Sequence, residues 1–260
     1  MNIRVFKIGG QIVDSPTDLN RFLSLFAQIE GPKLLVHGGG KIASKLLTEM
    51  GIEPKMHNGR RLTNKATLKV VVMAYAGLIN KTLVSSLQAL MINAIGLTGA
   101  DGNIIEAHKR LASNVDYGFA GDIDIINSKL LEDLMANNSV PVLAPITHDR
   151  KGQLLNTNAD TIANKVASEL AVKHNVSLYY IFDKKGVLLD IDDENSFLST
   201  IKISEIDKLI EKGTIVSGMI PKIYNSREAI DQNVSKIVLT NIAGLEDVLD
   251  GKNSGTTIKK

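Results

Sequence analysis

Ile3-Arg4-Val5-Phe6-Lys7-Ile8-Gly9-Gly10 and Leu34-Leu35-Val36-His37-Gly38-Gly39-Gly40 are the stretches whose reading decides the fold. Each is a short apolar run that ends directly in glycines. Runs of continuous Val, Ile and Leu, rather than strict alternation, predict strands buried on both faces. Glycine has no Cβ, so a Gly pair lets backbone N–H groups approach and ring an anion. If a helix follows the loop, its N-terminus adds a positive dipole end at the same point. A lone Gly-Gly after a strand reads as well as a plain turn. Gly38-Gly39-Gly40 is the stronger signal, because each added glycine carries an entropic cost that a turn does not need. Two such loops, with Lys7 on the first, predict a polyphosphate site.

Outward from these stretches the pattern repeats. Ala94–Leu97, Val140–Ala144, Leu178–Phe182 and Lys236–Leu239 read as further core strands, alternating with amphipathic segments. Such alternation predicts an α/β fold, a three-layer αβα sandwich around a mainly parallel sheet. Ser15 is the expected N-cap of a helix opened by Pro16 and ended near Ile29 by Gly31-Pro32. Lys41–Met50 reads as a second helix, Thr63–Met91 as a long one, and Asn127–Ala136 and Ala159–Lys173 as two more. Residues 103–125 and His148–Leu155 read as hairpins, and Asp190–Ser199 as a polar surface loop. A lobe boundary is expected near Val172–Val176, giving lobes 1–174 and 175–260.

Composition narrows the function. The 260 residues carry a net charge of +2 and 44% hydrophobic side chains, without a basic run. That balance argues against a general nucleic-acid or membrane-surface binder. There are no cysteines, which excludes disulfides and thiolate chemistry and fits a reducing cytoplasm. No signal peptide is expected before the first strand, and the apolar runs read as broken short of the roughly 20 residues that span a bilayer.

Neither a Walker A motif nor G-x-G-x-x-G is present, so P-loop and dinucleotide-binding readings lose support. Other elements occur in a telling order. After Lys7–Gly10 and His37–Gly40 come Asn58-Gly59-Arg60-Arg61-Leu62-Thr63 and Leu155-Asn156-Thr157-Asn158-Ala159-Asp160. They are followed by Asp183-Lys184-Lys185-Gly186-Val187-Leu188, Gly218-Met219-Ile220-Pro221-Lys222 and Gly255-Thr256. This ordered set resembles the amino-acid kinase family, and spans nearly the whole chain. The Asn-Gly-x-Arg-x-Thr and Asn-x-Asn-Ala-Asp elements point to the branch that phosphorylates the side-chain carboxylate of N-acetyl-L-glutamate in arginine synthesis.

The resemblance implies ATP as co-substrate, with Mg²⁺ bridging its phosphates and held mostly by phosphate and water rather than by protein ligands. It implies Lys7, Lys222 and Asp160 as the catalytic set: two ammonium groups flanking the transferring phosphoryl, and an acid that fixes both. Alone, Asp160 reads equally as a helix-dipole carboxylate. Substrate contacts fall to Gly39, Gly40, Arg61 and Asn156, with Arg61 gripping the α-carboxylate. Nucleotide contacts fall to Gly9, Gly10, Asp183, Lys184, Lys185, Gly186, Val187, Leu188, Thr214, Ile215 and Val216. A carboxylate acceptor is already ionised near neutral pH and needs no general base. His37 is therefore expected to be a strand-end hydrogen-bonding residue, and Asn158 an N-cap. Phe119 packs either on the acyl group or in a hairpin core.

Two departures from the family pattern stand out. Phe182 occupies a position where a hydroxyl residue is usual. Arg60 replaces an apolar residue, either as a solvated charge or as a second cation near the acyl end, which would suit N-succinylglutamate. Kinases of other acyl-amino acids, carbamate- or nucleotide-directed relatives, and a catalytically silent ATP or amino-acid sensor remain as rivals. The resemblance further predicts a homodimer formed through the Thr63–Met91 helix. No arginine feedback is expected, because the chain begins at its first strand.

Overall fold

The computed structural model describes residues 1–112, 114–190, 193, 196–215, 219–252 and 254–260. The chain runs β1 (Asn2–Ile8), α1 (Gly10–Asp14), α2 (Pro16–Gln28), β2 (Lys33–His37), α3 (Gly40–Glu49), β3 (Met56–His57) and β4 (Arg60–Arg61). Then come α4 (Lys65–Val72), a π-helical stretch Met73–Ile79, α5 (Asn80–Ala89), β5 (Ala94–Leu97), β6 (Ile105–Lys109), β7 (Gly121–Ile126) and α6 (Ser128–Ala136). Next are β8 (Val140–Leu143), β9 (Ile146–His148), β10 (Leu154–Asn156), α7 (Ala159–Ala171) and β11 (Asn175–Ile181). The last elements are β12 (Thr200–Lys202), α8 (Ile206–Glu211), α9 (Ile220–Asp231), β13 (Lys236–Thr240), α10 (Ile242–Leu249) and β14 (Thr256–Lys259).

The chain divides into two units, Met1–Lys33 with Ala163–Lys260, and Leu34–Ile162. This division departs from a boundary near 174. The physical reason is strand pairing: β1 runs alongside β11 over its whole length, from Asn2↔Asn175 to Ile8↔Ile181.

The strands of the first unit lie in the order β12-β14-β13-β11-β1, parallel except for the antiparallel β13–β14 pair. Successive side chains point to opposite faces, and the aromatic residues identify both. Phe6 and Tyr179 share one face, ring centroids 4.7 Å apart, and Phe26 of α2 meets Phe6 edge-on at 5.3 Å. Arg21 of α2 pairs with Glu246 of α10 at 2.7 Å. Lys7 and Tyr180 are register partners on the other face, where Lys222 of α9 lies over the Tyr180 ring. There Asn164 Nδ2 of α7 donates to Asn225 O of α9 at 2.6 Å. Helix, sheet and helix layers follow.

The ends of α2 obey local rules. Ser15 caps it, accepting from the Asp18 N–H at 3.3 Å. Its last carbonyls take cations: Lys33 Nζ donates to Phe26 O at 2.7 Å and to Ile29 O, and Arg4 donates to Glu30 O at 2.6 Å. Positive groups complement the negative helix end. Burial, and secondarily Arg4, hold the Lys33 pKa down to about 8.

In the second unit β2-β8-β5 form a parallel run, β10-β9-β6-β7 a separate sheet, and β3–β4 a hairpin. β5 pairs on one side with β8. On its other side Ala94 O accepts from Gln88 and Gly96 O from Lys81, so its own helix covers carbonyls that would invite another strand.

The long helix expected over Thr63–Met91 runs Lys65–Ala89, with Asn64 accepting from the Thr67 N–H at 2.9 Å. Length and composition alone would let it cross a bilayer, but polar Lys69, Asn80 and Lys81 interrupt its apolar run. Leu68, Val71, Ala74, Ile79, Leu83 and Leu87 are buried along it, the stripe of a core helix.

Candidate active site

In the first unit the site is built at the carboxyl ends of parallel strands, where open α/β sheets bind ligands. β1 ends at Ile8, and the Gly9 N–H donates to Ile181 O at 3.2 Å. Gly9 is the N-cap of α1, and Gly10 is its first residue. A Cβ at Gly9 would come no closer than 3.8 Å to Ile181 O, so packing within the chain does not demand glycine there. Lys222 stands in the first turn of α9, its Nζ 4.4 Å from the Tyr180 ring centroid and 5.8 Å from that of Phe182.

Asp183–Leu188 follows β11 as a loop pinned from several sides. The Phe182 N–H donates to Thr240 O at 3.0 Å, the Val187 N–H to Thr256 Oγ1 at 2.8 Å, and the Leu198 N–H to Val187 O at 2.9 Å. A Cβ on Gly186 would stand 2.5 Å from Thr256 Oγ1, so that glycine is required by close approach. Asp183 is exposed, Lys184 half-buried, and Lys185 Nζ lies 5.3 Å from the Phe197 ring. Thr214 and Ile215 donate their N–H groups to Leu209 O. Val216 lies outside the described residues. Thr256, fully buried at the start of β14, escaped the sequence reading as anything beyond a motif member. Its role depends on a partner 69 residues away.

The second unit holds the other half of the candidates. Gly39 adopts φ +146°, and a Cβ there would overlap Ile79 of the π-helical stretch. Gly40 opens α3, and its carbonyl accepts from Arg61 Nη2 at 2.8 Å; the same nitrogen reaches Ser44 Oγ at 2.8 Å. Arg61 is 6% exposed, and its Nε and Nη1 have no hydrogen-bond partner among the described residues. Buried donors left in that state carry a cost, and because Nε and Nη1 lie on different edges of the guanidinium they address separate acceptors. Thr63 joins the arrangement by donating to Arg61 O at 2.9 Å and accepting from Asn156 Nδ2 at 3.0 Å. The Phe119 N–H donates to Thr63 O at 2.6 Å, and the Asn156 N–H to Phe119 O at 2.9 Å. Arg61, Thr63, Asn156 and the 117–120 loop thus form one network. Thr63 is the member that sequence reasoning quoted without a role.

His37 is fully buried, and burial pushes its pKa down to about 4. One nitrogen, Nδ1, is 2.8 Å from Gly38 O, and Nε2 is 3.2 Å from Asn80 Nδ2, which also donates to Val142 O at 2.9 Å. This is the hydrogen-bonding role expected of it, with a neutral ring. Asn158 caps α7 as expected, its Oδ1 accepting from Asp160 N at 2.9 Å and Thr161 N at 3.1 Å. Asp160 accordingly sits in the first turn of that helix. Arg60 is partly buried, which together with Arg110 lowers its pKa. Arg110 in turn donates to Asp122 at 2.7 Å and lies 5.3 Å from the Tyr117 ring. Lys109 Nζ is 5.5 Å from the Phe119 ring. The 117–120 loop therefore carries a cationic rim.

A mainly parallel α/β fold with lysine and glycine loops at its strand ends defines a phosphate-handling protein. The comparisons specify which. The amino acid kinase family model matches residues 2–241, and the chain belongs to that family. It is 50% identical over 258 residues to the acetylglutamate kinase of Phocaeicola vulgatus, covering 99% of this chain and 98% of that one. The crystal structure of smu.665 from Streptococcus mutans aligns with a TM-score of 0.77 at 27% identity, covering 99% of this chain and 98% of that one. Carbamate kinase from Giardia lamblia shares the fold, with a TM-score of 0.72 at 16% identity, covering 99% of this chain and 98% of that one.

Proposed function

We propose that this chain uses ATP to phosphorylate the side-chain carboxylate of N-acetyl-L-glutamate, forming an acyl phosphate in arginine synthesis, in the cytoplasm. The observation that carries the reading is the buried Arg61 guanidinium, held through Nη2 to Gly40 O and Ser44 Oγ, whose fixed positive charge suits the α-carboxylate of an amino-acid derivative. Half-identity to an acetylglutamate kinase over almost the full chain supports the choice of acid.

The chemistry asks for charge control rather than proton transfer. The nucleophile is an anion, and so is the γ-phosphoryl group it attacks. Lys7 and Lys222 supply positive charge to the transferring group, and Asp160 is the acid assigned to fix them. His37, neutral and engaged through both ring nitrogens, takes no part as acid or base. Gly10, Gly39 and Gly40 offer backbone N–H groups to phosphoryl oxygens, whereas the Gly9 N–H is taken by Ile181 O. Nucleotide contacts fall to Asp183–Leu188 and to Thr214–Val216. Mg²⁺ enters with the nucleotide. Such an ion would be held mostly by phosphate and water.

Steady-state hydroxamate trapping across a panel of acyl-amino acids tests this reading, because hydroxylamine traps an acyl phosphate and not an alcohol phosphate. ATP-dependent hydroxamate with N-acetylglutamate is expected. Its absence across the panel would instead leave the silent-sensor alternative. The rim formed by Arg60, Arg110 and Lys109 favours a second reading, in which an acyl group with its own carboxylate is accepted. A specificity constant for N-succinylglutamate equal to or above that for N-acetylglutamate would reverse the order of the two.

A homodimer is part of the proposal. Met73 and Leu78, each more than half exposed on the Lys65–Ala89 helix, flank the exposed Gly77. A monomer by light scattering at micromolar concentration would remove it.

A further inference from the structure

We propose that Tyr180 is a positioning residue for Lys222, its ring face holding the lysine ammonium on the side of the sheet that Lys7 occupies. The inference rests on the reading of Lys222 as a cation for the transferring phosphoryl group.

Three observations converge on it. Lys222 Nζ is 4.4 Å from the Tyr180 centroid and 5.8 Å from that of Phe182, both within reach of a cation–π attraction. Tyr180 and Phe182 are two residues apart on extended chain and so face the same way. Tyr180 is also the register partner of Lys7, which puts both lysines on one face of the sheet.

The aromatic pair contacts the ammonium in a way that serves the chemistry. A ring quadrupole attracts a cation without adding a negative charge. The rings therefore orient the ammonium without neutralising it further. Tyr180 is 1% exposed, so its ring is fixed by its surroundings and presents a rigid face. The same contacts give Phe182 a purpose at a position where a hydroxyl would offer none of this attraction.

The test varies the ring's electrostatics at constant shape. In a Tyr180→Phe parent, phenylalanine is replaced at the same position by its mono-, di- and trifluorinated forms, and kcat, both KM values and the thermal midpoint are measured. Fluorination empties the ring face of negative potential. Each step should lower kcat, by about tenfold from phenyl to trifluorophenyl, with KM for the acyl-amino acid and the thermal midpoint unchanged. A flat series would overturn the proposal. Fluorination of the native Phe182 gives a second readout that needs no parent substitution, and the longer distance predicts a shallower fall there. An equal or steeper fall at Phe182 would equally overturn the primacy of Tyr180. Lys222→Met separates this inference from the one beneath it. If kcat survives that change, the role of Lys222 itself is wrong. If kcat collapses while the fluorinated series stays flat, only the role of Tyr180 is wrong.

Discussion

Acidification should unlock the protein at His37. Its ring is fully buried, Nδ1 faces Gly38 O, and Nε2 faces the Asn80 amide nitrogen. Protonation would set a new N–H against the N–H of Asn80 and leave a charge in the core. The pKa is accordingly lowered from 6.5 to about 4. The sign follows directly. Between those values the unfolded chain takes up a proton that the folded chain refuses, so stability present above pH 6.5 is lost as pH falls toward 4. The full window corresponds to about 3 kcal/mol, and the part between pH 7 and pH 5 to about 2 kcal/mol. Urea unfolding followed by circular dichroism at several pH values measures it. His37→Gln keeps an amide in the site but removes the titration. The wild type should lose about 2 kcal/mol more than His37→Gln between pH 7 and pH 5. Parallel curves for the two proteins would refute the buried, neutral histidine. Because the ring sits immediately before Gly38–Gly40, loss of activity should track this unfolding rather than a separate kinetic pKa.

Three further outcomes are expected. Arg61→Lys removes the planar fork while keeping a charge, and should raise KM for the acyl-amino acid by about tenfold to a hundredfold with kcat little changed; an unchanged KM in steady-state assays would contradict the carboxylate role. Thr256→Val deletes the acceptor of the Val187 N–H in a buried setting, so KM for ATP should rise several-fold and Thr256→Ser should restore it; fluorescent-nucleotide titration checks both. Gly39→Ala forces a side chain into Ile79 at φ +146°, which should lower stability by about 2 kcal/mol or more and depress kcat, read by thermal unfolding alongside turnover.

Much of the fold was legible in the sequence because it rests on local signals. The runs Ile3–Phe6, Leu34–His37 and Lys236–Leu239 are strands, Ser15-Pro16 opens a helix, and Asn64 and Asn158 cap two others. The elements it missed are the helices α1, α8, α9 and α10 and the strands β12 and β14, which exist through pairing with distant partners. The π-helical stretch was equally hidden, since nothing in Met73–Ile79 departs from ordinary helical composition.

The amino-acid order by itself determined which residues are proposed to carry chemistry: lysine beside glycine, arginine in a hairpin, acid after an asparagine cap. Only the tertiary structure decided the state in which those groups stand. It buried Arg61 with two donors unpartnered among the described residues, kept His37 neutral, and set Lys222 against the rings of Tyr180 and Phe182. The physical reason is that propensity and backbone shape act over a few residues, whereas desolvation and hydrogen-bond completion depend on what the rest of the chain brings alongside.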